Sequence, residues 1–576
     1  MRNTSRNMRG TLCRTLGFVG GLLGLPIAVS AAERIGDFSL LDQNGAYHQM
    51  SKHGDRRAVV LYVQDSRCQA SSRGLAAFQA LRRHYEYQGV AFFLLNPTRD
   101  NREAMQEFVD RHGVTVPALM DESQVVTDAF GVTSTGEAII YDPGNFSVQY
   151  KGSLSQLESR LAGLLSGSPV DSEASKAGDI EGCRIAYASA NRFGGSTPSY
   201  AQHVAPVIAE NCAGCHRDGG IAPFAFDSLQ AVKGWAPMIR EVVMTRRMPP
   251  GQADPHIGNL KNANGLSPDE TSILLSWIDS GVLDNSSDSE PPDPLATLAW
   301  PTSKWQLGEP DMIVAFPPQE IPATGVLDYL NVPVSLNLER DMWVRASEIY
   351  PGNRNALHHI ITRVVPPRAE GESRRRLSAE LGSGGLAGYV PGAQAKVFPG
   401  DTGYLLRKGA SLNLQVHYTT IGKATTDRSE MGIYFHDQPP THTMSGGNAS
   451  NYAFRIPPGD DDYPVSATMP VNRDIVLYDI LPHMHFRGKR MKFTAIYPDG
   501  RARDILSVPN YSFNWQMSYE LAEPLRLPAG SRIRVTGAFD NSSRNPFNPD
   551  PTQEVRWGQQ SWEEMFFGFF SYRHVR

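Results

Sequence analysis

From Leu412 to Tyr418 the chain reads Leu-Asn-Leu-Gln-Val-His-Tyr, a strict alternation of apolar and polar side chains. A period of two fits an extended strand with one buried face, so Leu412, Leu414, Val416 and Tyr418 point into a core while Asn413, Gln415 and His417 face a polar cleft. Beyond the Ser-, Asp- and Pro-rich stretch Asn285–Pro294 helical periodicity disappears. Short alternating runs, separated by turns such as Tyr497-Pro498-Asp499-Gly500 and Pro528-Ala529-Gly530, continue to the C-terminus. This half is predicted to be all-β and long enough for two jelly-roll-like sandwiches, 301–440 and 441–576, dividing between Phe435 and Asn451.

Histidines fall on this pattern in a particular way. In Leu481-Pro482-His483-Met484-His485-Phe486 an extended backbone projects His483 and His485 together and sends Met484 and Phe486 the other way. Two imidazoles on one face can share a metal ion; the alternative is two surface histidines on a polar strand face. His358 and His359 are adjacent, so on a flat strand they point apart, and both reach one ion only through a bulge or through different ring nitrogens. Glu564-Met565, near the C-terminus, offers a thioether, a donor that favours cuprous copper.

The stretch from about Trp300 onward resembles the copper type II, ascorbate-dependent monooxygenases, the family of peptidylglycine α-hydroxylating monooxygenase and dopamine β-monooxygenase. The features that carry the resemblance occur in order: His358-His359, Val416-His417-Tyr418, His483-Met484-His485 and Glu564-Met565. The stretches Asn510–Gln516, Asp540–Ser542 and Asn548–Pro551 are similar to bacterial members. The resemblance implies two copper ions, one held by His358, His359 and His417 and supplying an electron, the other held by His483, His485 and Met565 across a solvent cleft and carrying the chemistry with dioxygen. Animal members use disulfides in these domains, whereas here no cysteine lies beyond Cys215.

The 576 residues suffice for three or four domains. With 55 basic and 60 acidic side chains the net charge is -5, which gives no reason to expect nucleic acid or an acidic membrane as partner. Arg2, Arg6, Arg9 and Arg14, an apolar run from Leu16 to Val29 and the small residues Val29-Ser30-Ala31 read as a secretory signal peptide spanning 1–31, the alternative being a retained anchor. No later stretch is long and apolar enough to span a membrane. Export to the periplasm makes oxidised or ligated cysteines the expectation.

Residues 33–166 alternate strands with amphipathic helices. Ala58–Gln64 and Val90–Leu95 are strand-length apolar runs; between them Leu75, Phe78 and Leu81 recur at helical spacing, and Ala138–Tyr141 with Val148–Tyr150 reads as a hairpin. The order is similar to the thioredoxin-like redoxins, with Cys68 after a strand at a helix start, where a thiolate is favoured. Ser71 stands where a Cys-x-x-Cys pair needs its second cysteine, and Gly136 where the family places a proline. The resemblance of Cys183 to the downstream cysteine of some redoxins implies a disulfide or redox pair with Cys68.

A Ser-, Gly- and Ala-rich stretch, 167–199, reads as a linker. After it, Cys212-Ala213-Gly214-Cys215-His216 places two thiols in reach of the two haem vinyl groups and a histidine in reach of the iron. Helices are predicted over His203–Glu210, Leu229–Arg247 and Ser267–Ser280, the last opened by Ser267-Pro268-Asp269-Glu270. The region 200–284 is therefore read as an all-α cytochrome c domain with a covalent haem c, followed by a linker at 285–300. Met248 resembles the distal ligand of such cytochromes; Met244 on the same helix, or a plain core role for the methionine, are the rivals.

These readings combine into a periplasmic copper-dependent monooxygenase that takes a small-molecule or peptide substrate, dioxygen and electrons from a periplasmic donor, the haem serving as internal relay. Two other classes stay open: a copper-binding and electron-transfer protein without turnover, and a thiol peroxidase or oxidoreductase centred on Cys68.

Overall fold

The computed structural model describes residues 33–167, 180–282, 292–300, 303–367, 385–390, 392–400 and 402–575. The predicted signal peptide lies outside the described residues. Among them no helix is long and apolar enough to cross a membrane.

The first unit is a thioredoxin-like α/β domain. Its five-stranded sheet runs Ala118–Met120, Val90–Asn96, Ala58–Val63, Glu137–Asp142, Ser147–Ser153. The first three strands are parallel and the last two antiparallel. Every residue of Ala58–Val63 is buried, which requires cover on both faces. Ala58, Val60 and Tyr62 pack with Phe78 and Leu157 from the domain's own helices. On the other face, Val59, Leu61 and Val63 share a core with Phe38 and Phe130, and also with Met244 and Leu275 from the helical unit that follows.

That helical unit contains a π-type turn at Tyr200–Val204 and helices Ala205–Asn211, Leu229–Met244 and Pro268–Asp279. Ser267 and Glu270 form a reciprocal capping box at the start of the last helix. Its own core gathers Tyr200, Val204, Ile208, Val232, Ile239, Leu274 and Trp277. Two boundaries differ from the sequence reading. The second part of the predicted 167–199 linker is structured, because Arg184 bridges to Ser134 and Ala188–Phe193 is helical. In the 285–300 linker, Leu295 is buried in the helical core.

The remaining residues form the predicted β-rich region, with two hydrophobic cores, one drawn from Met312–Met444 and the other mainly from Ala449–Phe570. The two halves are not separate sandwiches. A nine-stranded sheet runs through both, joined where Thr402–Leu406 pairs in parallel with His442–Asn451. A three-stranded sheet (Leu330–Ser335, Ser411–Tyr418, Leu357–Val365) and a four-stranded one (Tyr463–Pro470, Arg532–Phe539, Gly488–Ile496, Ala502–Val508) supply the other layers.

Candidate functional site

The predicted alternation holds at Ser411–Tyr418: Leu412, Leu414, Val416 and Tyr418 are buried in the first β core. His417 is opposite His359 on the neighbouring antiparallel strand, and the register slips between Leu357 and His359. This bulge falls at His358 and re-aims its ring, the condition that adjacent histidines need to converge. One ligating nitrogen from each of His358, His359 and His417 lies within 4.8 Å of the others. Nδ1 of His358 and Nδ1 of His359 are 3.2 Å apart. The polar face of this strand is covered rather than open, since His417 and Gln415 are buried.

In the second half the strand Ile475–His483 ends at His483, so His485 sits in the following turn rather than on the strand face. The two rings nevertheless meet, with centroids 5.3 Å apart and planes perpendicular. Met484 is fully buried in the core, as the alternation implies. Nδ1 of His483 lies 2.6 Å from Oε1 of Gln516, and Gln516 is itself oriented by donating to the Phe513 carbonyl at 3.0 Å. Nδ1 of His485 is 3.2 Å from the Glu563 carbonyl. Each ring therefore has one nitrogen tied to an acceptor, leaving Nε2 for a ligand, the usual arrangement behind a metal-bound imidazole. Phe567 pairs with His483, and the half-buried Met565 directly precedes the strand Phe566–His574 that carries it.

Among the described residues of these two clusters, three buried imidazole nitrogens have no hydrogen-bond partner: Nε2 of His359, Nδ1 of His417 and Nε2 of His485. A buried polar atom without a partner is costly, so three in one region indicate a missing ligand. Burial pushes the His417 ring down to about 3 and the His483 ring down to about 4, and holds His359 and His485 well below the usual histidine range. Neutral rings are the form that binds metal. Three imidazoles in one set and two in the other fit copper, to which the resemblance adds the thioether of Met565.

The expected division across an open cleft is not what the structure shows. Tyr329 packs on His417 at 4.7 Å, on His359 at 5.2 Å and on His485 at 6.3 Å between ring centroids. Phe513 likewise touches His358 at 5.0 Å and His485 at 5.9 Å. Both clusters thus border the same two aromatic rings. Sequence reasoning gave no role to Tyr329, and treated Glu564 only as the acid before Met565. Glu564 is fully buried and accepts the backbone N–H groups of His485 at 2.9 Å and Arg487 at 2.6 Å. Burial pushes its carboxyl up to about 8, against the pull of those donors and the Arg487 guanidinium.

In the helical unit Cys212 and Cys215 are not bonded to each other. Burial pushes the Cys212 thiol up to about 12, so the pair is not poised as a thiolate redox couple. His216 packs against Phe224 and Phe226, and its buried Nδ1 has no partner. Trp235 stacks on Phe224 at 4.0 Å and, like Met238, stays exposed. These residues fit a covalent haem. Met244 is buried against the thioredoxin-like sheet, which removes it as an axial ligand; Met248 is half-buried in the turn after the helix.

In the first unit Cys68 and Cys183 form a disulfide, with Cα atoms 6.0 Å apart. Cys68 is buried. The segment bearing Cys183 lies across the turn at Thr133–Gly136, with Thr135 N donating to Cys183 O and Ile185 N to Thr133 O. Gly136 has φ +84°, and a Cβ there would meet Glu181 O at 2.2 Å, so the crossing segment explains why glycine stands where redoxins place proline.

Residues 31–156 match the AhpC/TSA family. A hypothetical protein from Sinorhizobium meliloti 1021 is 22% identical over 27% of this chain and 94% of its own, with a TM-score of 0.25. A putative thiol:disulfide interchange protein DsbE from Chlorobium tepidum is 17% identical over 23% and 96%, with a TM-score of 0.22. Peroxidoxin BcpB from Mycobacterium tuberculosis is 17% identical over 23% and 93%, with a TM-score of 0.20. No curated protein matches the chain.

Proposed function

We propose that the protein is a periplasmic oxidoreductase, a copper-dependent monooxygenase that hydroxylates a C–H bond of a small-molecule or peptide substrate. The observation that carries this reading is the cluster of His358, His359 and His417, whose ligating nitrogens lie within 4.8 Å of one another, beside the His483–His485 ring pair that shares its aromatic neighbours, with buried ring nitrogens left unpartnered in both sets. His358, His359 and His417 would hold one copper, and His483, His485 and Met565 the other. Bound copper would supply one-electron cycling and dioxygen activation, while a haem held by Cys212, Cys215, His216 and Met248 would supply single electrons. Overall, C–H, dioxygen, two electrons and two protons give C–OH and water.

The chain's own residues prepare this chemistry. Gln516 and the Glu563 carbonyl fix the tautomers of His483 and His485. Tyr329 and Phe513 wall both clusters with rings, which keeps water from the space between them. Asn514 holds His358 through Nε2 at 3.1 Å.

The test is metal and haem analysis of the full-length protein loaded with copper under reducing conditions, followed by oxygen uptake with candidate substrates. Two coppers and one covalent haem, with a hydroxylated product, support the reading; a single copper, or tightly held zinc, defeats it. A second reading, thiol-based peroxide or disulfide chemistry at Cys68, is favoured by the AhpC/TSA match and the Cys68–Cys183 bond. Peroxide consumption lost in Cys68→Ser but kept in His483→Ala would select it.

A further inference from the structure

One loop joins the histidine clusters to the segment that follows Met248. Between the strands Ala502–Val508 and Tyr519–Leu527, the segment 510–518 places Asn514 on His358 and Gln516 on His483. The next residue, Met517, faces the opposite way, towards the helical unit. Its sulfur lies 3.0 Å from Nδ2 of Asn264, which also donates to the carbonyl of Pro250 at 2.8 Å. Gly251, at φ +68°, comes so close that a Cβ there would meet the Met517 sulfur at 2.6 Å. Tyr519 donates to the Gly251 carbonyl at 2.6 Å. The segment that follows Met248 is then sewn along the strand edge: Ala522 N donates to Asn259 O, Lys261 N to Glu520 O, and Leu260 bridges to Leu521.

We infer that the 510–518 loop is the electron conduit from the helical unit to the histidine clusters, with Met517 and Gln516 as its central pair. The inference rests on the haem-donor reading above. From Met248 the covalent chain leads through Pro249 to Pro250, then across 2.8 Å to Asn264, 3.0 Å to Met517, along the backbone to Gln516, and 2.6 Å to His483. Tunnelling through bonds and hydrogen bonds falls off less steeply than across gaps, and every jump on this route is at hydrogen-bond length. Each passage oxidises the haem iron by one electron and reduces one cupric ion, with no proton transferred. The loop spans both clusters, so the order in which the two ions are reduced is set by their potentials and not by access.

The experiment uses the full chain with haem and cupric copper bound. A flash-generated deazaflavin radical reduces the haem, its reoxidation is followed in the visible band, and loss of the cupric EPR signal is recorded in parallel. Met517→Ala and Asn264→Ala should each lose the fast reoxidation phase, while the haem potential and the rate at which ascorbate reduces copper directly stay as in the wild type. If the wild type transfers and both variants transfer at its rate, the conduit is elsewhere and the donor reading stands. A slowing that is matched by a shifted haem potential also overturns the inference, because the segment then acts only by positioning Met248. If the wild type itself passes no electron from haem to copper, the donor reading fails and the conduit with it.

Discussion

Cutting the Cys68–Cys183 bond should lower stability by an amount set by the loop it closes. The sequence separation is 115 residues, and in the chain-entropy account a loop of that length restricts the unfolded chain by about 5 kcal/mol at 25 °C. The folded state should change little. Thr135 and Cys183 exchange two hydrogen bonds, Tyr187 donates to the Val132 carbonyl, and Ala188 N donates to Gln124, so the segment stays docked without the cross-link. For a unit of this size roughly 2–4 °C is expected per kcal/mol, and Cys68→Ser should therefore lower the first calorimetric transition by about 10–20 °C. Cys183→Ser and the double substitution should give the same value, since all three remove one bond. Copper and haem content should be unaffected. Equal midpoints for wild type and Cys68→Ser would refute the argument, and so would a loss seen for Cys68→Ser but not Cys183→Ser, which would place the effect in packing of the buried Cys68.

His417→Ala should reduce copper from two ions to one per chain by elemental analysis, while Met565→Ala should keep the first ion and weaken cuprous binding at the second. Asp121 is buried, and burial pushes its carboxyl up to about 6 although Thr127 donates to it twice at 2.7 Å. The folded state then holds a proton that the unfolded chain has shed, so this contribution is full below about pH 4 and is lost as pH rises through 6. Asp121→Asn should remove about 2 kcal/mol of that fall, read as the difference between urea titrations of the two proteins at pH 4 and pH 6.5. Glu564→Ala leaves the N–H groups of His485 and Arg487 without their acceptor in a buried site, and should cost about 3–5 kcal/mol and disorder the second copper site, seen as a broadened EPR spectrum.

Much of the β half was legible because period and chemistry coincide there. The alternation at Leu412–Tyr418 placed His417, and of the two routes that adjacency left open for His358 and His359, a bulge or different ring nitrogens, the strand takes the bulge. What the sequence did not show were contacts made across great distances in the chain. Asn514 meets His358 and Gln516 meets His483 only because the loop folds back over both sheets, and no local pattern encodes that. Tyr329 is similar: nothing nearby marks it, yet it borders both clusters. The helix Leu229–Met244 misled in another way, since its apolar residues serve two cores. Val232 and Ile239 face the helical unit and Met244 faces the neighbouring sheet, so a single apolar stripe under-described it. Composition also misjudged Ala188–Phe193, where small residues suggested a linker and tertiary contacts with the last helix made structure.

The shared core between the thioredoxin-like sheet and the helical unit bears on how the chain can be divided. Met244 and Leu275 lie in that core, with Val243 and Ile278 packed against it. A fragment beginning near residue 200 would uncover Met244 and Leu275, and a fragment ending near 167 would remove that part of the cover which they give to the face bearing Val59, Leu61 and Val63. Each unit therefore contributes apolar cover to the other. The redoxin fold here acts as a wall of the neighbouring unit, so a truncated chain would present Cys212 and Cys215 on an incompletely supported scaffold.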